Sequence, residues 1–192
     1  MLNDILKIIQ LIDNLSFDCE RVTIQEERLM LLYQKSFNNG ISHFFLTKIN
    51  DLIYEFKYNK LINIYEEYKN REKYYTKAFK RILKFMFLHD INYVIFKTLK
   101  PYPFMGSSYD IDLLILNISK YKLKKILNLL KNKNYVIKSM GVNHIALHDV
   151  IYDINIDIYI NPSYADMIYL DKNKLRFPNK IDMYGIKTNV LT

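Results

Sequence analysis

The residues of this chain whose types and spacing could do chemistry centre on two aspartates, Asp110 and Asp112, in the stretch DIDLLILN. They stand two positions apart at the start of an apolar strand pattern, and the two-residue period of a strand points both side chains to one face. Two carboxylates this close repel each other beside a buried strand unless a cation or hydrogen-bond donors compensate them. Because hard oxygen ligands suit Mg2+ and Mn2+, the pair predicts a divalent metal site.

A third carboxylate is expected to join the pair from a later strand. Residues 152–160 alternate between apolar and polar positions and place Asp153 and Asp157 on one face. Either could be the third ligand, and we favour Asp157 because it lies deeper in the apolar run NIDIYI. Three carboxylates can hold two metal ions, which clamp the attacking and leaving oxygens of an in-line phosphoryl transfer.

A predicted turn directly precedes the aspartate pair, and it contains Gly106, Ser107 and Ser108. Amides and hydroxyls in such a turn can hold phosphate oxygens. The alternative is that the aspartates are simply solvated on an edge strand, because an Asp-x-Asp pair is a short motif with many chance matches.

The elements that must position these residues divide the chain into a helical region, 1–88, and a second region, 89–192. Residues 1–100 contain no proline and only Gly40, which permits long helices. We expect a helix that begins at a capping box formed by Thr23 and Glu26 and stops at Asn38-Asn39-Gly40. Further helices are expected over 42–57 and about 60–88.

The second region changes to a strand-like period. Its apolar, β-branched stretches predict strands, and one stretch with apolar residues at helical spacing predicts a helix between them. This order predicts an α+β fold, in which a mixed sheet is flanked by helices. The expected strands cover 91–97, 110–117, 135–140, NHIALHD, the run to Ile160 and a weaker one in MYGIKTNVLT, and the helix covers 119–134.

The stretch YVIFKTLKPYPFMGSSYDIDLLI resembles the signature of the nucleotidyltransferase superfamily, the DNA polymerase β-like fold. It looks most like an uncharacterised family whose motif reads Leu-Lys-Gly, then Asp-Ile-Asp-Leu-Leu-Val, then a strand with Ile-Asp-Leu-His. Lys97 matches the lysine, Asp110 and Asp112 match the pair, and Asp157 in NIDIYI matches the third aspartate. The resemblance covers residues of about 90–192 and implies a minimal nucleotidyltransferase core.

The resemblance implies transfer of a nucleoside monophosphate from a nucleoside triphosphate to a hydroxyl of an RNA 3′ end, a protein or a small molecule. Asp110, Asp112 and Asp157 would be the catalytic and metal-binding residues, with Mg2+ or Mn2+ as cofactor. The triphosphate, ATP or another, would be held by residues before the pair, namely Lys97, Thr98, Gly106, Ser107 and Ser108. By family analogy alone, so small a transferase would fit a toxin–antitoxin role.

Two alternative functions remain open at this stage. Thr98 stands where the family has glycine, and the arginine often found before the aspartate pair is absent, so the chain could be a catalytically degenerate module that binds nucleic acid or a partner protein. A weaker alternative is a glycosyltransferase that uses the aspartates for the metal of a sugar nucleotide.

The charge of the chain favours polyanions as partners. Lys and Arg number 28 against 20 Asp and Glu, which gives a formal charge of +8. One predicted helix face collects basic residues that could track the phosphates of RNA or DNA, although such a face is often only solvated. These residues are Lys73, Lys77, Lys80, Arg81 and Lys84.

Several other classes of protein are disfavoured. Cys19 is the only cysteine, so an internal disulfide is excluded and a reducing cytoplasm is expected. No apolar run is long enough to span a membrane, and the N-terminal stretch is interrupted by charges, unlike a secretory signal. His144 and His148 lack further Cys or His partners for a zinc site and are expected to be ordinary histidines, although His148 could approach the aspartates across a hairpin. The sequence leaves the oligomeric state open.

Overall fold

The computed structural model describes residues 26–38, 40–95, 110–161, 163–164, 167–168 and 180–189. Several positions of interest in the sequence lie outside these residues. They are Cys19, Thr23, Lys97, Thr98, Gly106, Ser107 and Ser108.

Four helices make up the first half of the described chain: α1 (Glu26–Asn38), α2 (Ser42–Lys48), α3 (Asn50–Glu55) and α4 (Asn59–Leu88). The long helix predicted over about 60–88 is confirmed as α4. The single helix predicted over 42–57 is wrong in detail, because Ile49 has φ −97° and ψ 10° and divides it into two short helices.

Helix α1 ends where the sequence predicts. Gly40 has φ +71° and donates its amide to the carbonyl of Phe37, while the amide of Ile41 donates to the carbonyl of Ser36. This pair of bonds is a Schellman motif, which needs a left-handed residue that glycine supplies at little cost. The stop predicted at Asn38-Asn39-Gly40 is therefore confirmed.

The described residues form two compact units, one up to Glu72 and one from Lys73 onward. The boundary between the two units falls inside α4. The boundary predicted from the sequence lies instead at Leu88, where the chain changes from helix to strand. The second half of α4 therefore belongs with the sheet. The core of the first unit consists of buried residues at helical spacing: Leu29, Phe45, Leu46, Ile49, Leu52, Ile53, Leu61 and Tyr65.

The second unit is built on a five-stranded mixed sheet in the order β1-β2-β5-β4-β3. Strands β2 and β5 are parallel, and every other neighbouring pair is antiparallel. Helix α5 (Lys120–Lys131) connects β2 to β3, and Ser119 caps its first turn by accepting the amide of Lys122. The chain thus has the α+β fold that the sequence predicts. The strands are β1 (Tyr93–Ile95), β2 (Ile111–Ile115), β3 (Tyr135–Met140), β4 (His144–Asp149) and β5 (Ile154–Tyr159).

Two further hairpins follow the sheet: β6 (Ser163–Tyr164) with β7 (Met167–Ile168), and β8 (Lys180–Met183) with β9 (Ile186–Asn189). Strand β9 confirms the weak strand predicted in MYGIKTNVLT. Its partner β8 was not predicted, and Tyr184 and Gly185, both at positive φ, form the tight turn between them.

The two faces of the five-stranded sheet differ in character. One face is apolar and buried, and Asp149 at the end of β4 is the polar exception on it. Arg81 of α4 reaches Asp149 and lies over the ring of Tyr135, so the second half of α4 packs against this face. The apolar face includes Ile111, Leu113, Ile145, Leu147, Ile156 and Ile158.

The opposite face carries the aspartates.

No described helix is both long enough and apolar enough to cross a membrane.

Candidate active site

Asp112 and Asp157 are brought together by the register of two parallel strands. Asp112 on β2 is the paired partner of Asp157 on β5, flanked by the apolar pairs Ile111 with Ile156 and Leu113 with Ile158. Paired residues on neighbouring strands point to the same face at a spacing of about 5 Å. Both aspartates are half-buried, so the two carboxylates share one partly solvated surface.

The remaining two candidate aspartates differ in position. Asp110 directly precedes β2, two residues before Asp112, and is half-buried. Asp153 does not lie in a strand: it has φ +56° in the turn before β5, and its side chain is 93% exposed. Of the two alternatives for a third carboxylate, the structure places Asp157, and not Asp153, beside Asp112.

The turn between β4 and β5 sets the register in which Asp157 pairs with strand β4. The carbonyl of Asp149 accepts the amide of Asp153, and its carboxylate Oδ1 accepts the amide of Ile151 at 2.9 Å. This closes a four-residue connection, and connection length sets the pairing of a hairpin. Asp149 therefore pairs with Ile154, and Ala146 pairs with Asp157.

Arg81 holds Asp149 in place from helix α4. Its Nη1 lies 2.6 Å from Oδ1 of Asp149, whose side chain is fully buried, and its Nη2 donates to the carbonyl of Lys133. The guanidinium also lies 4.4 Å above the ring of Tyr135, and burial next to Asp149 raises the pKa of the Tyr135 phenol. A buried carboxylate needs a charged partner, so Arg81 has a structural role in the fold.

This result changes the interpretation of the basic helix face. Arg81 cannot serve as a free phosphate contact while it compensates Asp149, so it has to be removed from the set proposed from sequence. Lys73, Lys77, Lys80 and Lys84 are exposed, and at 100° per residue they lie opposite the buried side of the helix. Since α4 packs against the apolar face of the sheet through Arg81, and the aspartates lie on the other face, the lysines and the aspartates lie on opposite sides of the unit.

The other end of the β4–β5 hairpin is fixed by Asn143. Its carbonyl accepts the amide of Ile160 at 2.8 Å, and its side-chain oxygen accepts the amide group of Asn161 at 2.8 Å. The side chain of Asn143 is buried, so these bonds satisfy polar groups that would otherwise be costly. The hairpin is therefore restrained at both ends around Asp157.

His144 is a site residue that sequence reasoning missed. Its Nε2 lies 3.0 Å from Oδ1 of Asp157, but the two groups are not aligned as a hydrogen bond, and Nε2 is buried without such a partner. The contact arises because His144 is the diagonal neighbour of Asp157, two positions along β4 from Ala146. A correct register for the hairpin, counted from the turn at 150–153, would have revealed it.

His148 lies on the same face of β4 but has different partners. Its Nδ1 lies 3.1 Å from the side-chain oxygen of Asn155, and its Nε2 lies 3.4 Å from Asp153. It does not contact Asp157, so of the two histidines it is His144 that approaches the aspartates.

A small apolar cluster lies at the β1 side of the aspartates. Val94, Leu114 and Tyr159 are buried against one another, with Leu116 packed beside them. The ring of Tyr159 also lies 5.0 Å from that of His144, centroid to centroid. One flank of the aspartate pair is thus apolar, which lowers the local dielectric and strengthens the attraction of the pair for a cation.

The donor set suits a divalent cation only in part. Asp112 and Asp157 supply hard oxygen ligands from neighbouring strands, and this chemistry fits Mg2+ or Mn2+. Within the described ranges, no three His, Cys, Asp or Glu side chains converge closely enough to enclose an ion. A third ligand therefore requires a change of side-chain rotamer or a group from a substrate, as is usual for Mg2+ held by one or two carboxylates and phosphates.

Comparisons with known proteins identify no relative. No family model matches the chain, and no curated protein and no solved structure matches it either.

Proposed function

We propose that this protein is a metal-dependent nucleotidyltransferase that transfers a nucleoside monophosphate from a nucleoside triphosphate to a hydroxyl acceptor. The observation that carries the proposal is the pairing of Asp112 with Asp157 on parallel strands, with Asp110 two residues ahead of Asp112 in the chain. Two carboxylates placed side by side on a half-buried surface repel each other, and a cation is the usual compensation.

In this proposal Asp112 and Asp157 would hold the metal ion, with Asp110 as a further carboxylate. When bound, Mg2+ or Mn2+ neutralises the charge of the triphosphate and lowers the pKa of the acceptor hydroxyl. Asp157 orients that hydroxyl and accepts its proton. The acceptor oxygen then forms a bond to the α-phosphorus, the bond from that phosphorus to the bridging oxygen breaks, and pyrophosphate leaves.

The polar groups that precede β2 are proposed to hold the phosphates, as the family resemblance implies. Lys97, Thr98, Gly106, Ser107 and Ser108 fill this role in the proposal. Cationic and hydroxyl donors aimed at the phosphate oxygens stabilise the negative charge that moves onto the leaving pyrophosphate.

An RNA is the acceptor that the charge of the chain supports best. The formal charge of +8 favours polyanions, and four exposed lysines of α4 follow one another at spacings of four, three and four. Because these lysines face away from the aspartates, an RNA bound there is anchored at a distance from its reacting end. The single cysteine is consistent with action in the reducing cytoplasm.

A pair of radiolabels tests the proposal. The full chain is incubated with Mg2+, total RNA and each triphosphate labelled at either the α- or the γ-phosphate. We expect the α-label, and not the γ-label, to enter an acceptor. Asp112→Asn and Asp157→Asn should abolish this transfer, whereas Asp153→Asn, a matched control in the exposed turn of the same hairpin, should retain it.

A second candidate function is a degenerate nucleotidyltransferase-like module that binds nucleic acid or a partner protein. The observation that favours it is the contact of His144 with Asp157, because this aspartate already has a neighbour where a metal would bind. RNA binding that depends on salt and survives Asp112→Asn, without any transfer of label, would support this candidate and contradict the first.

A further inference from the structure

Two tyrosines stack on each other at the surface of the second unit. Tyr74 of α4 and Tyr152 of the turn between β4 and β5 have ring centroids 6.5 Å apart and ring planes 28° from parallel. Tyr75, the next residue of the helix, is fully buried, whereas Tyr74 is 48% exposed. A half-exposed ring that rests on a second ring offers a surface on which another flat group can stack.

The fold positions this tyrosine pair before any ligand arrives. The carboxylate Oδ1 of Asp149 accepts the amide of Ile151 at 2.9 Å and the amide of Tyr152 at 3.4 Å, which fixes the turn. Arg81, two helical turns after Tyr74 and so on the same side of α4, pairs with this carboxylate. Because the two rings already rest on each other in the free chain, a ligand that stacks on them has less side-chain entropy to overcome.

Exposed lysines flank the tyrosine pair. Residues three positions apart on a helix are neighbours on its surface, so Lys77 lies beside Tyr74, and Lys73 directly precedes it. On the sheet side, Lys133 is exposed, and its backbone carbonyl accepts a hydrogen bond from Nη2 of Arg81. This positive charge is complementary to a polyanion.

The acidic residue that follows Tyr152 in the turn has a different neighbour. The carboxylate Oδ1 of Asp153 lies 3.4 Å from Nε2 of His148, on the face of the sheet that carries Asp157. Tyr152 lies against α4, on the other side of the sheet. The carboxylate of Asp153 is therefore directed away from the tyrosine pair.

We propose that Tyr74 and Tyr152 form a base-stacking site for single-stranded RNA, with Lys73 and Lys77 in contact with the flanking phosphates. Every base has a flat face that stacks on an aromatic ring, and the bases of a single strand are free to do so, whereas those of a duplex are stacked on each other. The inference rests on the RNA acceptor of the proposed function and names the form of RNA that this surface takes. An acidic protein suits the lysines too, but a carboxylate gains nothing from the negatively charged face of a ring.

The test compares two strands that differ only in their bases. Fluorescence anisotropy measures the affinity of the full chain for a labelled oligoadenylate and for a strand of the same length made of abasic units, which has the same phosphates. The variants are Tyr74→Ala and Tyr74→Phe, of which the second keeps a ring. The matched control is Tyr121→Ala, which removes an 81% exposed tyrosine of α5 that stands between Lys120 and Lys122 in the chain.

We expect the wild type to bind the oligoadenylate more tightly than the abasic strand by a factor on the order of ten. Tyr74→Ala should remove this preference and leave the affinity for the abasic strand unchanged, because the ring carries no charge. Tyr74→Phe and Tyr121→Ala should retain the preference, and a fully paired RNA hairpin should bind the wild type and Tyr74→Ala equally. Circular dichroism establishes that each variant is folded, and Tyr74→Leu repeats the test if the alanine variant is not.

The proposal is overturned if the wild type binds the two strands equally or binds neither, or if Tyr74→Ala keeps the preference. It is also overturned if Tyr74→Phe or Tyr121→Ala loses the preference, or if binding of the hairpin depends on Tyr74. Binding of labelled polyglutamate that depends on Tyr74, without a preference for the strand with bases, would indicate an acidic protein partner and overturn it as well.

This test can fail separately from the proposed function. Label transfer that is lost in Asp112→Asn, together with RNA binding that does not depend on Tyr74, would overturn only the stacking site. A preference for bases that is lost in Tyr74→Ala, in a chain that transfers no label from any triphosphate, would support the stacking site and contradict the nucleotidyltransferase.

Discussion

Arg81 on helix α4 and Asp149 at the end of β4 form an ion pair 2.6 Å long around a carboxylate that is fully buried. Asp149 also accepts an amide of the turn that leads into β5. One ion pair thus joins the helix to the turn, and the turn sets the register that places Asp157 opposite Ala146 on β4. These two residues therefore affect both the stability of the fold and the geometry of the candidate site.

Replacing Arg81 with methionine is expected to lower the free energy of unfolding by about 3–5 kcal/mol. This is the usual cost of leaving one member of a buried pair without its partner, since Asp149 would keep a buried charge. Chemical denaturation followed by circular dichroism measures the change. The neighbouring exposed Lys80, replaced in the same way, is the matched control and should cost less than about 0.5 kcal/mol. Equal losses in the two variants would show that Arg81 is only a surface residue.

Acidification is expected to destabilise the chain through His43. Burial lowers the pKa of His43 below 6.5, because the charged form is poorly solvated in the first unit. The contribution to stability is full above pH 6.5, where both states are neutral. It is lost as the pH falls below 6.5, because the unfolded chain then binds the proton first.

Free energies of unfolding at pH 7.5 and pH 5.5 test this expectation. His43→Gln should show a smaller loss between these two pH values than the wild type, because it has no proton to bind. The difference between the two losses isolates His43 from other titrating groups. An identical loss in both proteins would contradict the assignment.

The lysine face of α4 is expected to bind nucleic acid. Replacing Lys73, Lys77, Lys80 and Lys84 with glutamine should weaken RNA binding and flatten its dependence on salt, because each lost phosphate contact releases one counterion fewer. Filter binding over a range of salt concentrations measures both effects. Transfer to a small acceptor should be unaffected, because the lysines and the aspartates lie on opposite sides of the unit.

A control variant separates this face from net charge alone. Replacing the exposed Lys120, Lys124, Lys125 and Lys131 of α5 removes the same four charges. If this variant loses as much affinity for RNA as the α4 variant, binding depends on overall charge and the α4 face has no special role.

Local patterns predicted much of the secondary structure. The uninterrupted helical spacing predicted both ends of α4 to within about one residue. The alternation around Asp157 predicted strand β5 with Ile154, Ile156 and Ile158 on its buried face. These features depend on periods of two and 3.6 residues, which can be read from neighbouring positions. The class of the fold followed from the order of the elements.

Features that depend on long-range packing could not be predicted in the same way. Residues from Tyr152 were expected in a strand, but the strand begins at Ile154, because Asp149 binds turn amides and is held by Arg81. This turn sets the register on which the contact of His144 with Asp157 depends. By its spacing alone, Arg81 belongs to a solvated basic face of the helix. Its structural role is shown only by its buried partner, Asp149, on strand β4.

Nucleotide binding in the two aspartate variants tests most directly whether Asp112 and Asp157 act together on one metal-bound triphosphate. The measurement is the Mg2+-dependent rise in melting temperature with a triphosphate, because ligand binding stabilises the folded chain by mass action. If the pair acts as a unit, Asp112→Asn and Asp157→Asn should each remove the whole rise, and the double variant should lose no more. Small losses that add in the double variant, or a rise that both single variants retain, would contradict a shared site.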